Sequence, residues 1–452
     1  MKITHLGGES CVTGSCHLVR FDGVRILVDC GSVQGLDREI PMSSWPVEPS
    51  KIDFLFLTHA HIDHIGRVPE LIEQGFRGEI LCTHPTKTLL LPMIEDALGF
   101  SQWPEKDRER LKEKIDEIAW GFEYDKVFDL PKGIRFRFSR AGHILGSCSI
   151  CFEVPGSGYS VCFSGDLGPR HTPILTDPDP CPPCDLLVME STYGNALHED
   201  RTQRISRLGE ILGRALADGG KVLIPAFALG RTQEILYEID RLVSTPGGGK
   251  MPSAQTKFPL AKIPVFLDSP LGLTVTKIYS ELRPYWDQEA RERLRQGDHP
   301  FDFEQLYAVR SHKDHLKILE MDGPAIIIAG SGMCSGGRIL DHLRNGLEDP
   351  RTDILFVGYQ AEGTLGRKIV EGANKPGQHV FVEGERCTVK ARVHVLGGYS
   401  AHADQKGLLE WVASAPQKPG KIKLVHGEAA AQEALARKLG GLGYVVEGAK
   451  LN

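Results

Sequence analysis

The chain has 452 residues, a formal net charge of −6, 41% hydrophobic residues and 25% charged residues. These values are typical of a globular protein with two or three domains, and they exclude a globally basic nucleic-acid-binding protein. Because we find no secretory signal and no apolar run long enough to span a membrane, we expect a cytoplasmic protein. The 11 cysteines are an odd number spread over a long chain, which favours reduced thiols.

The first part of the chain predicts alternating strands and helices. An early strand ends at Asp29, and the apolar run 52–58 predicts a buried strand. A helix over 65–74 follows, and residues 82–130 have a more helical, charged pattern. Further strands are predicted at residues 134–138, 149–154, 159–164 and 184–189, the last of them ending at Glu190.

After Thr192 the pattern changes to repeated strand–loop–helix units. The predicted strands are residues 221–225, 263–268, 325–330 and 353–358. Such alternation predicts a parallel α/β sheet. The final section returns to strands that run into ligand-type residues, at 391–396 and 421–425, and a helix over 429–439 follows. We therefore predict one domain formed by residues 1–198 and 388–452, interrupted by an inserted domain at 199–387.

The segment His59-Ala60-His61-Ile62-Asp63-His64 is the strongest functional signal. It follows a predicted buried strand and concentrates three imidazoles and a carboxylate. This combination is typical of a catalytic zinc site rather than a structural one. The spacing lets His59 and His61 face one ion while Asp63 and His64 reach a second. The alternative is a solvated, histidine-rich turn.

Other polar residues stand at the carboxyl ends of predicted strands, each close to glycine. They are Asp29, His143, Asp166 and His426. Glycine permits sharp turns, and the carboxyl ends of strands are where α/β sheets bind ligands. Any one of these residues, taken alone, is interpreted as a hydrogen-bonded turn residue. The repetition indicates one metal-binding site assembled from distant segments.

These residues together resemble the metallo-β-lactamase fold. Glu190, His402 and His426, with a long insert between the first and the second, resemble the β-CASP nucleases of that fold, such as the endonuclease subunit of the pre-mRNA cleavage and polyadenylation machinery and its bacterial relatives. The motifs at residues 12–17, 225–233 and 331–338 are similar to that group too. The resemblance implies an αββα sandwich interrupted by a parallel α/β β-CASP domain.

The resemblance also implies two zinc ions. His59, His61 and His143 would hold the first ion, and Asp63, His64 and His426 would hold the second. Asp166 would bridge both, while Asp29 would orient a ligand from behind. Two Zn²⁺ carry +4 and two carboxylates return only −2, so the residual charge suits a phosphodiester. Metal binding lowers the pKa of water toward neutrality, and two metals can stabilise the attacking and leaving oxygens.

His402 resembles a general acid, with Glu190 as the carboxylate that keeps it protonated. Asp63 is expected to take part in catalysis as well as in metal binding. The alternatives are that Glu190 is a helix-starting or surface carboxylate and that His402 is an ordinary histidine at the start of a helix.

The insert contains two glycine-rich turns that predict phosphate binding. Backbone N–H groups at the start of a helix bind anions, and arginine grips phosphate with a planar fork. The candidate residues are Arg231, Thr232, Ser331, Gly332, Ser335 and Arg338. The alternative is simple turns with surface arginines. The segment 311–315, Ser-His-Lys-Asp-His, has the composition of a third metal cluster, but we interpret it as a solvated surface stretch.

The resulting hypothesis is a dinuclear zinc ribonuclease that cuts single-stranded RNA internally, in a cleft between the metal-binding domain and the insert. The hypothesis includes a homodimer as a possible assembly of this chain. The alternatives are a 5′-exoribonuclease of the same family, a small-molecule esterase or thioesterase, and a non-catalytic RNA-binding subunit. An esterase would not need the insert, Glu190 or His402.

Overall fold

The computed structural model describes residues 1–447 except positions 22, 36, 100, 102, 155, 157, 245–259, 374 and 376. The chain divides into two compact units. We call Met1–Leu197 with His402–Asn452 the metal-binding unit and His198–Ala401 the insert.

The metal-binding unit contains two six-stranded sheets. The first has the order β1-β2-β3-β4-β5-β6, and the second has the order β20-β11-β10-β9-β8-β7. The first sheet consists of β1 (Lys2–Gly7), β2 (Cys16–Phe21), β3 (Val24–Val28), β4 (Phe54–Phe56), β5 (Glu79–Thr83) and β6 (Ala119–Phe122). The second consists of β7 (Val127–Asp129), β8 (Arg135–Arg140), β9 (Cys148–Val154), β10 (Tyr159–Phe163), β11 (Leu186–Glu190) and β20 (Lys421–Val425).

One apolar core lies between these two sheets. Phe56 of the first sheet lies edge-on to Phe136 and Phe152 of the second, with ring centroids 4.9 Å apart in both pairs. The unit's helices are α1 (Ile62–Ile65), α2 (Val68–Glu73), α3 (His84–Gly99), α4 (Glu105–Ile118), α12 (Gln405–Ala413) and α13 (Ala429–Gly441). This αββα sandwich confirms the predicted fold. The helix predicted over 65–74 is two short helices, α1 and α2.

The insert has a six-stranded sheet with the order β14-β13-β15-β12-β16-β19. All neighbouring strands in it are parallel. Its strands are β12 (Lys221–Pro225), β13 (Val265–Leu267), β14 (Leu306–Ala308), β15 (Ala325–Ala329), β16 (Asp353–Phe356) and β19 (Arg392–Val395), and β17 (His379–Val382) pairs separately with β18 (Glu385–Thr388). Its helices are α5 (Arg204–Ala215), α6 (Arg231–Ser244), α7 (Pro270–Glu281), α8 (Gln288–Arg295), α9 (His312–Glu320), α10 (Ile339–Gly346) and α11 (Leu365–Gly372).

Central position explains the apolar strands of the insert. β15 lies between β13 and β12, and each of its five residues is buried. A strand covered on both faces is apolar throughout rather than alternating, which is the pattern that the sequence shows. The predicted parallel α/β insert is confirmed.

The compact unit that contains the insert continues to Ala401, because β19 pairs in parallel with β16 of its sheet. The domain limits 199 and 387 stay a prediction. From the sequence, β19 resembles the ligand-bearing strands of the metal-binding unit, since it too runs toward a histidine. The pairing partner of a strand is not encoded in its own residues.

Two cysteines differ from the predicted reduced state. Cys151 of β9 and Cys162 of β10 lie directly opposite each other and form a disulfide. Cysteine counting could not reveal this pair, because it depends on the register between two strands. The remaining nine cysteines are free thiols.

Candidate metal centre

The histidine-rich segment begins three residues after the end of β4 and enters α1. His59 is fully buried, His61 precedes the helix, and Asp63 lies in its first turn. Nε2 of His59 lies 3.1 Å from Nδ1 of His61. His143, in the loop between β8 and β9, places its Nε2 3.0 Å from the same Nδ1. These three imidazoles form a group that could hold one metal ion.

A second group lies beside the first. Asp63 and His64 come from α1, and His426 directly follows β20. Nε2 of His426 lies 3.3 Å from Nε2 of His64 and 3.6 Å from Oδ2 of Asp63. The backbone of His426 is left-handed, with φ 48°. Left-handed backbone is uncommon outside glycine and is concentrated at functional sites.

Asp166 lies between the two groups. Its Oδ2 is 3.6 Å from Nε2 of His59 and 3.3 Å from Nε2 of His64. Its Oδ1 is buried, lacks a hydrogen-bond partner, and lies 3.6 Å from Nδ1 of His426. A buried carboxylate oxygen without a donor is costly, which indicates that a cation completes this site.

The spacing of the ligand atoms tests the fit to zinc. Four ligands around a tetrahedral ion with bonds of about 2.0–2.1 Å lie about 3.3 Å apart. The imidazole and carboxylate atoms of both groups are 3.0–3.6 Å apart along the contacts given above. The spacing of these donor atoms therefore fits metal coordination.

Asp29 orients His64 from behind. Its carboxylate accepts hydrogen bonds from the backbone N–H of Thr58 at 2.8 Å and from the Thr58 hydroxyl at 2.8 Å. Nδ1 of His64 lies 2.7 Å from Oδ2 of Asp29, so Nε2 is the nitrogen that faces the site. Thr192 has a similar position behind His426, with its hydroxyl 3.2 Å from Nδ1.

Sequence reasoning missed Thr58 and Thr192. Each stands one or two residues from a predicted ligand or catalytic carboxylate at the end of a strand. Their positions close to the ends of strands could have identified both threonines as candidates.

The electrostatics of the centre favour positive charge. Burial acts to lower the pKa of His64, but Asp166, Asp29 and Asp63 outweigh it and raise that pKa well above its ordinary value. Burial acts to raise the pKa of Asp63, but His64 and His426 outweigh it and lower the pKa to about 2. Burial lowers the pKa of His59 well below its ordinary value, so this imidazole is neutral and competent as a ligand.

Glu190 and His402 form a pair at the edge of the centre. Nδ1 of His402 lies 3.1 Å and 3.2 Å from the two carboxylate oxygens of Glu190, and 3.9 Å from Oδ2 of Asp166. Glu190 also accepts a hydrogen bond from the backbone N–H of Leu167 at 2.6 Å. Burial acts to lower the pKa of His402, but Glu190 outweighs it and raises that pKa to about 9. The imidazole is therefore held protonated at neutral pH.

The predicted phosphate-binding residues all lie in the insert, and both arginines are engaged there. Arg338 donates to Oδ1 of Asp268 at 2.7 Å and to the carbonyl of Val309 at 3.0 Å. Arg231 is buried and ion-paired with Glu234. These guanidinium groups stabilise the insert internally, so neither is presented as a surface fork, and phosphate binding by them stays a prediction.

The other four candidates form turns. The Thr232 hydroxyl donates to the carbonyl of Phe227, and the backbone N–H of Ser335 donates to the Ser331 hydroxyl at 2.8 Å. Gly332 packs so closely on Phe227 that a Cβ there would lie 2.7 Å from its ring. A role of these turns in phosphate binding also stays a prediction.

The interpretation of segment 311–315 as solvated is wrong for its last residue. His312, Lys313 and Asp314 are exposed on α9, but His315 is fully buried. Its Nδ1 lies 2.6 Å from Oδ2 of Asp268, because the first turn of α9 faces the end of β13. One polar residue on the inner face of a helix is not distinguishable in a short charged segment.

Helices within the described residues lack the combination of length and apolar character that crossing a bilayer requires.

The sandwich, its buried histidine–aspartate ligand set and the parallel insert define a metal-dependent hydrolase. Sequence profiles agree: residues 10–226 match the metallo-β-lactamase superfamily, residues 232–369 match the β-CASP domain, and residues 386–447 match the Zn-dependent metallo-hydrolase RNA specificity domain. The chain belongs to the β-CASP family of the metallo-β-lactamase superfamily.

Similar proteins support this assignment. The chain is 38% identical over 428 residues to Ribonuclease TTHA0252 of Thermus thermophilus, covering 95% of this chain and 93% of that protein. It is 31% identical to Transcription termination factor FttA of Methanosarcina mazei and 32% identical to FttA of Pyrococcus abyssi, in both cases over 95% of this chain and 67% of the relative.

A solved structure shares the fold. A protein of unknown function from Enterococcus faecalis V583 superposes with a TM-score of 0.54 at 12% identity, covering 94% of this chain and 93% of that one. At this identity the likeness concerns the fold alone.

Proposed function

We propose that the protein is a zinc-dependent ribonuclease that hydrolyses internal phosphodiester bonds of single-stranded RNA. The observation that carries the proposal is the position of Asp166. It lies between two groups of metal-binding side chains, and its Oδ2 is 3.9 Å from Nδ1 of His402, which also contacts Glu190. The metal-binding site and the protonated imidazole are therefore close enough to act on the same phosphodiester linkage.

The metal-binding side chains divide into two sets in this proposal. His59, His61 and His143 would hold one ion, Asp63, His64 and His426 would hold the other, and Asp166 would bind both. Two bound zinc ions would supply an ionised water at neutral pH and would offset charge on the phosphoryl oxygens. The two carboxylates neutralise only half of the charge of two Zn²⁺, so the site attracts an anionic linkage.

Asp63 is the carboxylate of the site that reaches solvent. Its side chain is 19% exposed, against 2% for Asp166. Its lowered pKa keeps it ionised, so Oδ1 or Oδ2 can accept a hydrogen bond from the attacking water and orient it.

His402 supplies the proton for the leaving oxygen. Glu190 engages Nδ1, so Nε2 is the nitrogen on the opposite side of the ring and the atom that can donate. The alkoxide leaving group of RNA is a poor one, and general acids accelerate such steps by roughly 10²–10⁴-fold. Glu190 holds the ring and stabilises its protonated form, and the Leu167 N–H holds Glu190.

RNA is preferred over a small ester for two reasons. A relative that this chain matches over 93% of the relative's length is named a ribonuclease. In addition, residues 386–447 match a domain whose description names RNA specificity. A simple esterase would need neither His402 nor Glu190, since an ester leaving group requires less help. Internal cleavage is preferred over 5′-exonuclease action, the second candidate.

The test is cleavage of RNAs labelled at either end by the zinc-loaded protein, compared with His402→Ala and Asp63→Ala. Wild type is expected to produce internal fragments from both labels, and each substitution is expected to slow cleavage by roughly 10²-fold or more. Zinc content is expected to be about two ions per chain and to fall only in Asp63→Ala. His84→Ala is the matched control, because His84 is a half-exposed imidazole of the same unit.

The outcomes separate the alternatives. Undiminished cutting by both variants would reject the roles of His402 and Asp63. Mononucleotides released from the 5′ label alone would establish the exonuclease. Hydrolysis of esters with intact RNA would establish the small-molecule hydrolase, and zinc content near zero would favour a non-catalytic subunit.

The cellular setting and assembly belong to the same proposal. We place the activity in the cytoplasm on the basis of the nine free thiols, although Cys151–Cys162 is oxidised. The homodimer stays a prediction, which light scattering of the purified protein measures.

A further inference from the structure

The segment immediately before His402 is held by side chains of the insert. After β19 the chain makes a short helical turn over Gly397–Tyr399. The backbone N–H of Ser400 donates to the carbonyl of Gly397 at 3.0 Å. The insert ends at Ala401, and His402 is the first residue of the returning metal-binding unit.

Tyr399 is the main anchor of this segment. Its side chain is fully buried, and its hydroxyl donates to the carboxylate of Glu238 on α6. Glu238 is itself fully buried and accepts a second hydrogen bond, 2.7 Å long, from Nε of Arg204. Burial and the neighbouring Glu238 raise the pKa of Tyr399 well above its ordinary value, so the hydroxyl stays protonated and remains a donor.

A second anchor lies one residue further along. Nη1 of Arg201 donates to the carbonyl of Ser400 at 3.1 Å. Arg204 in turn donates to the carbonyl of Arg201 at 3.3 Å, so both arginines belong to one network with Glu238. A buried carboxylate that loses a donor is strongly disfavoured, and the network therefore has one preferred arrangement.

On the other side of His402 the chain is held by the metal-binding unit. The backbone N–H of Ala403 donates to the carbonyl of Leu167 at 2.7 Å. Asp404 caps α12 by accepting from the N–H of Gly407 at 2.8 Å. His402 thus lies between Ser400, held in the insert, and Ala403, held next to the metal ligand Asp166.

We propose that Tyr399, through its hydrogen bond to Glu238, is a positioning residue for His402. This inference rests on the proposed function, because it assumes that His402 protonates a leaving group. The tyrosine touches neither metal nor substrate. It sets where the backbone of residues 399–401 lies, and thereby where the imidazole stands relative to Glu190 and the scissile linkage.

A positioning role and a purely structural role affect different steps of the reaction. Loss of a proton donor slows substrates with poor leaving groups and spares substrates whose leaving group departs unaided. A loss of folded protein or of metal slows both alike. The dependence on the leaving group is therefore the informative readout.

The experiment compares Tyr399→Phe with wild type as full-length, zinc-loaded proteins. The two substrates are single-stranded RNA and bis(4-nitrophenyl) phosphate, whose nitrophenolate leaves without a proton. We expect kcat on RNA to fall roughly 10-fold or more, since small misplacements of a catalytic group have effects of this order. KM for RNA, kcat on the nitrophenyl diester and zinc content are expected to stay within a factor of about two of wild type.

Two further variants sharpen the result. Tyr237→Phe is the matched control, because Tyr237 is also buried in the insert and its hydroxyl bonds to Glu289 at 3.3 Å, away from this network. It is expected to leave the ratio of the two rates unchanged. Adding Tyr399→Phe to His402→Ala is expected to cause no further loss, because both changes remove the same proton transfer.

Three results would overturn the proposal: equal loss on both substrates, no loss on either, or additive losses in the double variant. If Tyr399→Phe proves unstable, Glu238→Gln keeps an acceptor for the hydroxyl and is expected to show a smaller decrease of the same ratio. A wild type that cleaves no RNA would instead reject the proposed function. In that case a crystal structure of Tyr399→Phe still tests the positioning role of Tyr399. An unchanged distance of 3.1 Å between Nδ1 of His402 and Glu190 would exclude that role.

Discussion

Among the described residues, each unit contains a buried cluster of histidine and aspartate, and the two clusters differ in the spacing of their polar atoms. In the insert, Oδ2 of Asp268 lies 2.6 Å from Nδ1 of His315 and 2.6 Å from Nε2 of His342, while Oδ1 accepts from Arg338 at 2.7 Å. In the metal-binding unit, nitrogens of His59, His64, His143 and His426 lie 3.3–3.6 Å from the carboxylate oxygens of Asp166, and Oδ1 has no donor.

The difference lies in what occupies the space between the side chains. Separations of 2.6 Å are direct hydrogen bonds to a carboxylate. Separations near 3.3 Å leave room for an ion at the centre. Arg338 already supplies the positive charge beside Asp268, whereas no guanidinium lies among the described contacts of Asp166. Equal residue types thus produce a structural cluster in one unit and a metal centre in the other.

The largest expected effect separates the two aspartates. Asp166→Asn should lose bound zinc and lower RNA cleavage by roughly 10³-fold, because in the proposed site this carboxylate would bind both ions. Asp268→Asn should keep about two zinc ions per chain. It should instead lower the free energy of unfolding by about 3 kcal/mol, because Arg338 loses its buried partner.

Elemental analysis and urea denaturation of the two variants measure these quantities. A loss of zinc from Asp268→Asn equal to that from Asp166→Asn would contradict the distinction between the clusters.

A smaller effect is expected when one histidine of each unit is removed. His402→Ala should slow RNA cleavage by roughly 10²–10³-fold with full zinc content, because it removes a proton donor and no ligand. His315→Ala should leave the cleavage rate within a factor of about two and lower the free energy of unfolding by about 2 kcal/mol, since a buried hydrogen bond to Asp268 is lost.

Single-turnover cleavage and thermal unfolding distinguish the two variants. Slow cleavage by a folded, zinc-loaded His315→Ala protein would show that the insert cluster acts in catalysis.

The carboxylate behind the metal centre is expected to have a more moderate effect. Asp29→Asn should weaken zinc affinity by roughly 10–100-fold, because His64 loses the acceptor that fixes its orientation. Competition with a chelator measures the affinity. Asp116→Asn, an exposed carboxylate of α4, is the control and should leave the affinity unchanged.

The smallest effect is expected in the dependence of the free energy of unfolding on acidic pH. This dependence reports on the cluster of Asp268, His315 and His342 in the insert. Burial acts to raise the pKa of Asp268, but hydrogen bonds from His342, His315 and Arg338 outweigh it and lower the pKa to about 2. In the unfolded chain the pKa is about 3.9, so the unfolded state binds the proton first as pH falls. The stability from Asp268, roughly 2–3 kcal/mol, is present above pH 5 and is lost as pH falls toward 2.

His342 acts in the same direction at higher pH. Burial lowers its pKa although Asp268 acts to raise it, so below its ordinary value of 6.5 the unfolded state again takes up the proton first. Unfolding in urea between pH 7 and 3 should therefore show falling stability of the wild type. Asp268→Asn should show a flatter dependence, and an unchanged slope would contradict the assignment.

Much of the architecture was predictable from local patterns. The apolar run of β15, buried in every residue, predicted a central strand of a parallel sheet. The strand-end positions of His143, Asp166 and His426 predicted that they converge, and the structure brings them together with the segment 59–64. Such predictions succeed because hydrophobic periodicity and the carboxyl ends of strands are encoded over a few neighbouring residues.

Other features depend on which distant segments meet. The pairing of β19 with β16, the disulfide between β9 and β10, and the burial of His315 against Asp268 each involve partners that no local pattern specifies. The same is true of Arg231 and Arg338, whose glycine-rich surroundings suggested phosphate binding while their charges are met by Glu234 and Asp268.

By itself, therefore, the amino-acid sequence determined the sandwich, the parallel insert and the set of side chains able to bind metal. Only the tertiary structure decided which histidine–aspartate cluster has room for ions, and which residues hold His402 in place. The physical reason is distance: residue type sets what a side chain can bind, but differences of less than 1 Å between atoms hundreds of residues apart depend on packing and strand register.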